Sequence, residues 1–395
     1  MKIIYIGSFR FPIYDAAASR VLNNARALKL YGHEVKFISW GGNYNNQDKS
    51  DDNRFYYDGF EYVISNDLDI KGGLWEKVKG HLLRGRNSLN LIENEVASSD
   101  ILISYNAEYH FTKKLQKIAR KNKKKYVNDI TEWYSSNDLY FIDRLSNILN
   151  MRCLQHRVKN KIVISRYLNE YYKSTNNIVI PPLCDGQEDK WIHENLKGIP
   201  ESIKQFNGLR IIYAGNPGKK DSLHTVINVI ERLLDEGANI QFLILGMSKL
   251  NYLDKYSHFL DNQYINGRIV FLGKVSQTDV PNYYKISDFM ILLRDKTRKN
   301  MAGFPTKFVE SMTSGVPVIA NITSDIEFYL HDSVNGFILS ENGFNDLYKT
   351  IKERVLKADP LEIRRMKDQA KLKGSEYFDF RSYSEEFNSF ICNLR

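Results

Sequence analysis

Strand-length and helix-length segments alternate from the first residue onward, and this alternation restricts the chain to few architectures. Residues 2–7 are an isoleucine-rich apolar run ending in Gly7. Residues 19–31 then carry Val21, Leu22, Ala25 and Leu28 at helical spacing, with Gly32 placed as a C-terminal cap. A second strand is expected at residues 34–39. Strand, helix and strand at this spacing form a βαβ unit, and its right-handed crossover predicts parallel pairing. The pattern continues with strands at 101–104, 126–130 and 162–165 and a helix at 112–121.

A second series begins after Pro181-Pro182. Strands are expected at 209–214, 240–245, 268–272, 289–293 and 316–320, with helices at 223–235 and 306–313. Two consecutive series predict an α/β protein of two doubly wound, Rossmann-like domains facing each other across a cleft. The expected boundaries are 1–185 and 186–374, with 375–395 forming a terminal helix. In such sheets ligands sit beyond the carboxyl ends of the strands, so chemistry is sought in the loops just after them.

Size agrees with this, since 395 residues exceed what one hydrophobic core usually serves. No run reaches the roughly eighteen apolar residues of a membrane span, and the N-terminus is too short and strand-like for a signal peptide. Cys153, Cys184 and Cys392 are widely spaced and odd in number, which fits neither a disulfide framework nor a metal cluster. A cytoplasmic protein is expected. The formal charge of +9 is concentrated locally. Lys113, Lys114, Lys117, Arg120, Lys121 and Lys123 to Lys125 crowd one helix and its exit. Residues 71–86 mix Lys71, Lys77, Lys79, Arg84 and Arg86 with Leu74, Trp75, Val78, Leu82 and Leu83. That mixture suits an anionic membrane surface, which would make the protein peripheral on the inner face of the plasma membrane; a solvated helix face is the alternative. No nucleic-acid motif accompanies the charge, so no nucleic acid partner is expected.

The stretch richest in chemistry is 294–312, where a strand ends, a basic loop follows, and Gly303 precedes a helix opened by Pro305. Proline suits the first helical position, and the free amides there, with the positive end of the dipole, bind phosphates. Gly303 allows close backbone approach. Glu310 follows Thr306 by four residues and Lys307 by three, so it lies one turn along the same face. There a carboxylate can accept from the vicinal hydroxyls of a ribose whose phosphates sit at the helix start, as in a nucleoside-diphosphate clamp.

Residues 303–319, reading GFPTKFVESMTSGVPVI, resemble the donor-binding signature of the family 4 retaining glycosyltransferases, which share the GT-B fold. That signature has two glutamates separated by seven residues; Glu310 matches the second, which binds the ribose, and Ala302 stands at the first. Asp295 is a candidate substitute. Residues 213–221 resemble the loop where the family holds the diphosphate with an arginine and a lysine. Lys220 matches the lysine and Asn216 replaces the arginine, whose charge Arg294 or Lys307 can supply. Phe271 to Val275, including Lys274, with Tyr283-Tyr284, resembles the segment near the base, although core or interdomain packing is the simpler reading of the tyrosines. Phe304, Pro305 and Thr306 complete the donor-side set. Residues 11–21, around Ala16 to Arg20, resemble the loop where the family usually carries two glycines, and 377–394 resemble the helix that returns to the first domain.

In the first domain, Thr131 and Glu132 occupy positions where many relatives have a histidine and an acid. Glu132 and Asp129 are candidates to orient an acceptor hydroxyl or take its proton, with His110 a further one. No acid pair or His/Cys cluster has metal-ligand spacing, so no metal and no cofactor are expected. The resemblance implies metal-independent, retaining transfer from a nucleotide-diphosphate sugar to a saccharide or lipid-linked saccharide in polysaccharide biosynthesis. Lys220 and Arg294 would neutralise the leaving group, and domain closure would exclude water. Two rival readings are a sugar-nucleotide epimerase and a non-catalytic GT-B scaffold partner.

Overall fold

The computed structural model describes residues 1–395 except 14, 44–54, 68–83, 134–140, 194–195, 219, 257–263 and 265–266, and the side chains of 141–143. The chain forms two compact units. The first comprises 1–183, 302–304 and 380–395; the second comprises 184–301 and 305–379.

In the first unit β1 (Lys2–Phe11), α1 (Ala16–Lys29) and β2 (Glu34–Gly42) build the expected crossover, with β1 and β2 parallel. β1 continues four residues beyond Gly7 to Phe11, where the Phe11 amide donates to Ser39 Oγ at 3.0 Å. β3 (Phe55–Tyr57) and β4 (Phe60–Ile64) come next, an antiparallel hairpin that the sequence reading did not include. Asp58 and Gly59 turn it at φ 53° and 72°, the paired positive values of a two-residue hairpin loop. After α2 (Arg86–Glu95), the strands β5 (Ile101–Tyr105), β6 (Lys125–Ile130), β7 (Asn160–Val163) and β8 (Asn176–Val179) complete an eight-stranded sheet of order β3-β4-β2-β1-β5-β6-β7-β8. Helix α3 (Tyr109–Lys121) follows β5 and buries Phe111, Leu115 and Ala119, leaving its lysines exposed. Lys71, Lys77, Lys79 and their apolar neighbours lie outside the described residues.

The second unit holds a six-stranded parallel sheet, ordered β11-β10-β9-β12-β13-β14. Its strands are β9 (Leu209–Ala214), β10 (Ile240–Leu245), β11 (Ile269–Gly273), β12 (Phe289–Leu292), β13 (Val318–Asn321) and β14 (Gly336–Leu339). Helix α4 (Leu223–Asp235) buries Leu223, Val226, Ile227, Ile230 and Leu233, which is why its apolar spacing was readable.

The boundaries differ from those expected. The long helix α7 (Pro360–Phe378) belongs to the second unit, so the return to the first begins at Phe380 rather than at residue 375. From there Phe380, Phe387, Phe390, Ile391 and Leu394 enter the core built by β1, α1 and β2. Lys125 Nζ donates to the Leu394 carbonyl at 3.1 Å and Asn160 Nδ2 to the Arg395 carbonyl at 3.0 Å, fastening helix α8 (Ser384–Cys392) and its exit to β6 and β7. Phe387 is fully buried. Phe387→Ala should therefore lower stability by about 3–5 kcal/mol, measured as a fall in urea midpoint.

Candidate functional site

Parallel strands bring their carboxyl ends to one edge of a sheet, so the loops after β9, β12 and β13 of the second unit converge. Gly215 and Gly246 follow β9 and β10 with φ 121° and 86°. A Cβ on Gly246 would lie 2.6 Å from the Gly215 carbonyl carbon, and one on Gly215 would lie 3.2 Å from Lys307 Nζ. Only glycine fits this approach. Asn216 is exposed, and its Oδ1 accepts from the Gly218 amide at 3.0 Å, a local turn. The Pro217 carbonyl then accepts from the amides of Lys220 and Asp221 at 3.0 and 3.2 Å.

This turn delivers Asp221 against Arg294, with which it forms an antiparallel bridge. Asp221 Oδ1 accepts from Arg294 Nε at 2.6 Å, and Oδ2 accepts from Tyr213 OH at 2.5 Å and from Lys307 Nζ. Lys307 Nζ also donates to Tyr213 OH at 2.7 Å. Burial opposes ionisation of Asp221, but Lys307 and Arg294 outweigh it and hold its pKa below the ordinary value. Burial brings Lys307 down to about 8, so with Asp221 ionised beside it the pair stays charged at neutral pH. Lys307 was expected at a diphosphate; its ammonium is instead engaged by Asp221 and Tyr213.

Two asparagines that sequence reasoning missed hold these loops. Asn321, the last residue of β13, accepts from the Arg294 amide at 2.9 Å and donates to the Arg294 carbonyl at 2.7 Å. Asn300 Nδ2 donates to the Lys220 carbonyl at 3.1 Å and the Asp295 carbonyl at 2.9 Å. No pattern in the sequence distinguishes them from other asparagines. Asn300 lies in α5 (Arg298–Ala302), a short helix inside what was expected to be loop.

Helix α6 (Thr306–Thr313) spans the range expected, but Pro305 precedes it instead of forming its first helical residue. Pro305 is its N-cap, with φ −75° and ψ 111°, because that ψ is extended rather than helical. The amides that open α6 are those for which a helix supplies no acceptor. Glu310 stands one turn along, half-buried; burial raises its pKa, opposed by Lys307 and Lys190. Tyr283 and Tyr284 are buried, as core packing predicts, and Tyr284 OH donates to the Lys307 carbonyl at 3.3 Å. Gly303 and Phe304 group with the first unit, apart from the rest of the donor-side set. Ala302 beside them is fully buried. Asp295 is exposed and accepts from Asn342 Nδ2. Lys220 is half-buried beside Asp221, and Lys274 is exposed just after β11, two strands away from β9.

In the first unit the structure corrects the role of Asp129. Its carboxylate is fully buried and accepts from Arg20 Nε at 3.0 Å, Arg20 Nη2 at 2.8 Å and Tyr5 OH. Arg20 Nη1 donates in turn to the carbonyls of Ile180 and Pro181 at 2.9 and 3.2 Å. A carboxylate so engaged and closed from solvent is a structural anchor, not a proton acceptor for substrate. The adjoining turn is fixed by Asn106, whose Oδ1 accepts from the Thr131 amide at 2.9 Å and whose Nδ2 donates to Thr131 Oγ1 at 2.6 Å. Glu132 follows, half-buried, and His110 is exposed on α3. Asp129→Asn leaves a buried guanidinium without its counter-ion, so unfolding free energy should fall by about 3–5 kcal/mol in a urea titration.

Residues 200–373 match the family model described as glycosyl transferases group 1. Among curated proteins the chain is 22% identical over 241 residues to alpha-monoglucosyldiacylglycerol synthase of Streptococcus pneumoniae, covering 58% of this chain and 51% of that protein. The chain spans about half the length of the curated relatives it matches, 51% and 41%. Among solved structures it is similar to Anabaena HepE in complex with UDP, with TM-score 0.70, 14% identity and 100% of both chains covered. Sucrose-phosphate synthase from Thermosynechococcus elongatus gives TM-score 0.75 at 13% identity, covering 99% of this chain and 98% of that one. The protein therefore has the GT-B fold of two Rossmann-like domains, and its residues 200–373 are similar to the glycosyl transferases group 1 family.

Proposed function

We propose that the protein transfers a glycosyl group, with retention, from a nucleoside-diphosphate sugar to a saccharide or lipid-linked saccharide acceptor in surface-polysaccharide synthesis. The observation that carries this is the position of Glu310, one turn beyond the opening of α6 and inside the family-matched segment. In this reading Glu310 accepts from the ribose hydroxyls, and the amides of Thr306 and Lys307 face the diphosphate. Lys220 and Arg294 balance the charge that develops on the departing phosphate. Glu132 takes the proton of the acceptor hydroxyl as its oxygen bonds to the anomeric carbon. The transfer is metal-independent: cations and amides of the second unit carry the phosphate charge.

Two observations support a lipid-linked acceptor at an anionic membrane surface. The Streptococcus pneumoniae relative is named for a glucosylated diacylglycerol. On this chain a groove of about 550 Å³ between α2 and α3 is lined by Arg86, Lys114, Lys117 and Lys121, with Leu89 and Ile118 beside them. Among the described residues no helix is long and apolar enough to cross a membrane, so attachment would be peripheral.

The buried Ala302, standing where the resemblance implies a glutamate, favours one second reading, a non-catalytic nucleotide-binding scaffold. An epimerase is disfavoured, because Arg20 engages one of the two first-domain carboxylates it would need. Sugar transfer from donor to acceptor in the presence of purified protein separates transferase from scaffold.

The first test is a thermal-shift screen against UDP, GDP, ADP and CMP and their sugar conjugates, with and without EDTA. Stabilisation by one nucleoside diphosphate, unchanged by EDTA, is expected, and UDP is the first candidate because the Anabaena protein was solved with it. Glu310→Ala removes two hydrogen bonds to a charged group, so calorimetric affinity for that nucleotide should fall by roughly a hundredfold. Unchanged affinity would refute the ribose clamp.

A further inference from the structure

We infer that Asp221 is a positioning residue that holds Arg294 by Nε and so presents the two Nη groups of that guanidinium to the donor diphosphate. This rests on the function proposed above and assigns the cation that replaces the arginine missing at Asn216. Three observations lead to it.

The first is the geometry of the guanidinium. Arg294 is 7% exposed, its Nε is 2.6 Å from Asp221 Oδ1, and its backbone is pinned on both sides by Asn321. Among the described residues its Nη1 and Nη2 donate to nothing. A guanidinium gripped at Nε keeps a parallel pair of donors on its far edge, the arrangement that suits two phosphate oxygens. The second is the contrast with Lys307, whose ammonium lies beneath Gly215, bonded to Asp221 and Tyr213 and 4.1 Å from the centre of the Tyr213 ring. Of the two cations that could supply the missing charge, Lys307 spends two of its three N–H donors on Asp221 and Tyr213, whereas both Nη groups of Arg294 are without a protein acceptor among the described residues. The third is the charge balance. One carboxylate faces two cations, with side-chain exposures of 2% for Asp221, 8% for Arg294 and 10% for Lys307. A net positive charge this far from water is costly until an anion completes it. Asp221 therefore sets direction rather than affinity on its own: it immobilises both cations and leaves the Nη pair of Arg294 to meet the ligand.

The test uses the full-length protein and whichever of UDP, GDP and ADP stabilises it most, together with the matching nucleoside monophosphate. Calorimetric Kd values are measured for wild type, Arg294→Lys and Asp221→Asn. Each substitution should weaken the diphosphate about tenfold or more while changing the monophosphate by less than about threefold. Arg294→Lys keeps the charge but has no Nε to be gripped and no Nη pair. Unchanged diphosphate affinity in either variant overturns the inference and leaves the Glu310 clamp standing. An equal loss of monophosphate and diphosphate in Asp221→Asn overturns it too, because that marks a residue needed only for the fold. If circular dichroism shows Asp221→Asn to be unfolded, Arg294→Lys decides alone: selective loss upholds the inference and wild-type affinity refutes it. A wild-type protein that responds to no nucleotide refutes the proposed function and this inference with it.

Discussion

The donor-side loops of the second unit depend on one carboxylate. Asp221 receives Arg294 from the end of β12, Lys307 from the first turn of α6, and Tyr213 from β9. Each partner comes from a separate stretch of chain, so removal of the carboxylate would release three segments together. Breaking either ion pair costs more here than at a surface, because it would leave a charge unpaired where the side chains are nearly closed off from water. The same burial makes the arrangement asymmetric: Asp221 can neutralise only one of its two cations. Glycines complete the device, since any side chain at Gly215 would meet Lys307 and disturb the ammonium that Asp221 holds.

The first unit contains a parallel solution with a different purpose. Arg20 from α1 and Asp129 from β6 pair in the core, and the spare amino group of Arg20 takes the carbonyls of Ile180 and Pro181. That pair ties a helix, a central strand and the exit of the domain together with no group left over. In the second unit the equivalent guanidinium has two amino groups without protein acceptors among the described residues. The two networks are built from the same residue types. The difference lies in whether each nitrogen of the guanidinium has a protein acceptor, and that separates an anchor from a binding site.

Much of this was legible before any coordinates. Alternation of apolar strands with amphipathic helices predicted both sheets because each periodicity reports directly which face is buried. Short or unusual elements were harder. The hairpin at residues 55–64 was announced by Asp58-Gly59, a recognisable turn signal, but its strands are too short for periodicity to speak. The return to the first unit was expected from residue 375 instead of Phe380, because which unit residues 375–379 pack on is a tertiary matter. Pro305 was put one position too far into α6, since proline chemistry alone does not separate a cap from a first turn.

The candidate site divides along the same line. The sequence by itself determined a two-domain α/β chain, a family-like segment around Glu310, and a set of charged residues in loops that follow strands. The first and third follow from local spacing, which survives in one dimension, and the second from a resemblance to known sequences. Only the tertiary structure decided what each charge does: Asp129 anchors Arg20, Lys307 answers Asp221, and Arg294 keeps both Nη groups without a protein acceptor among the described residues. The physical reason is that the role of a charged group is set by its burial and its partners. Those partners are 109 residues away for Asp129, and 73 and 86 away for Asp221, distances across which no sequence pattern carries information.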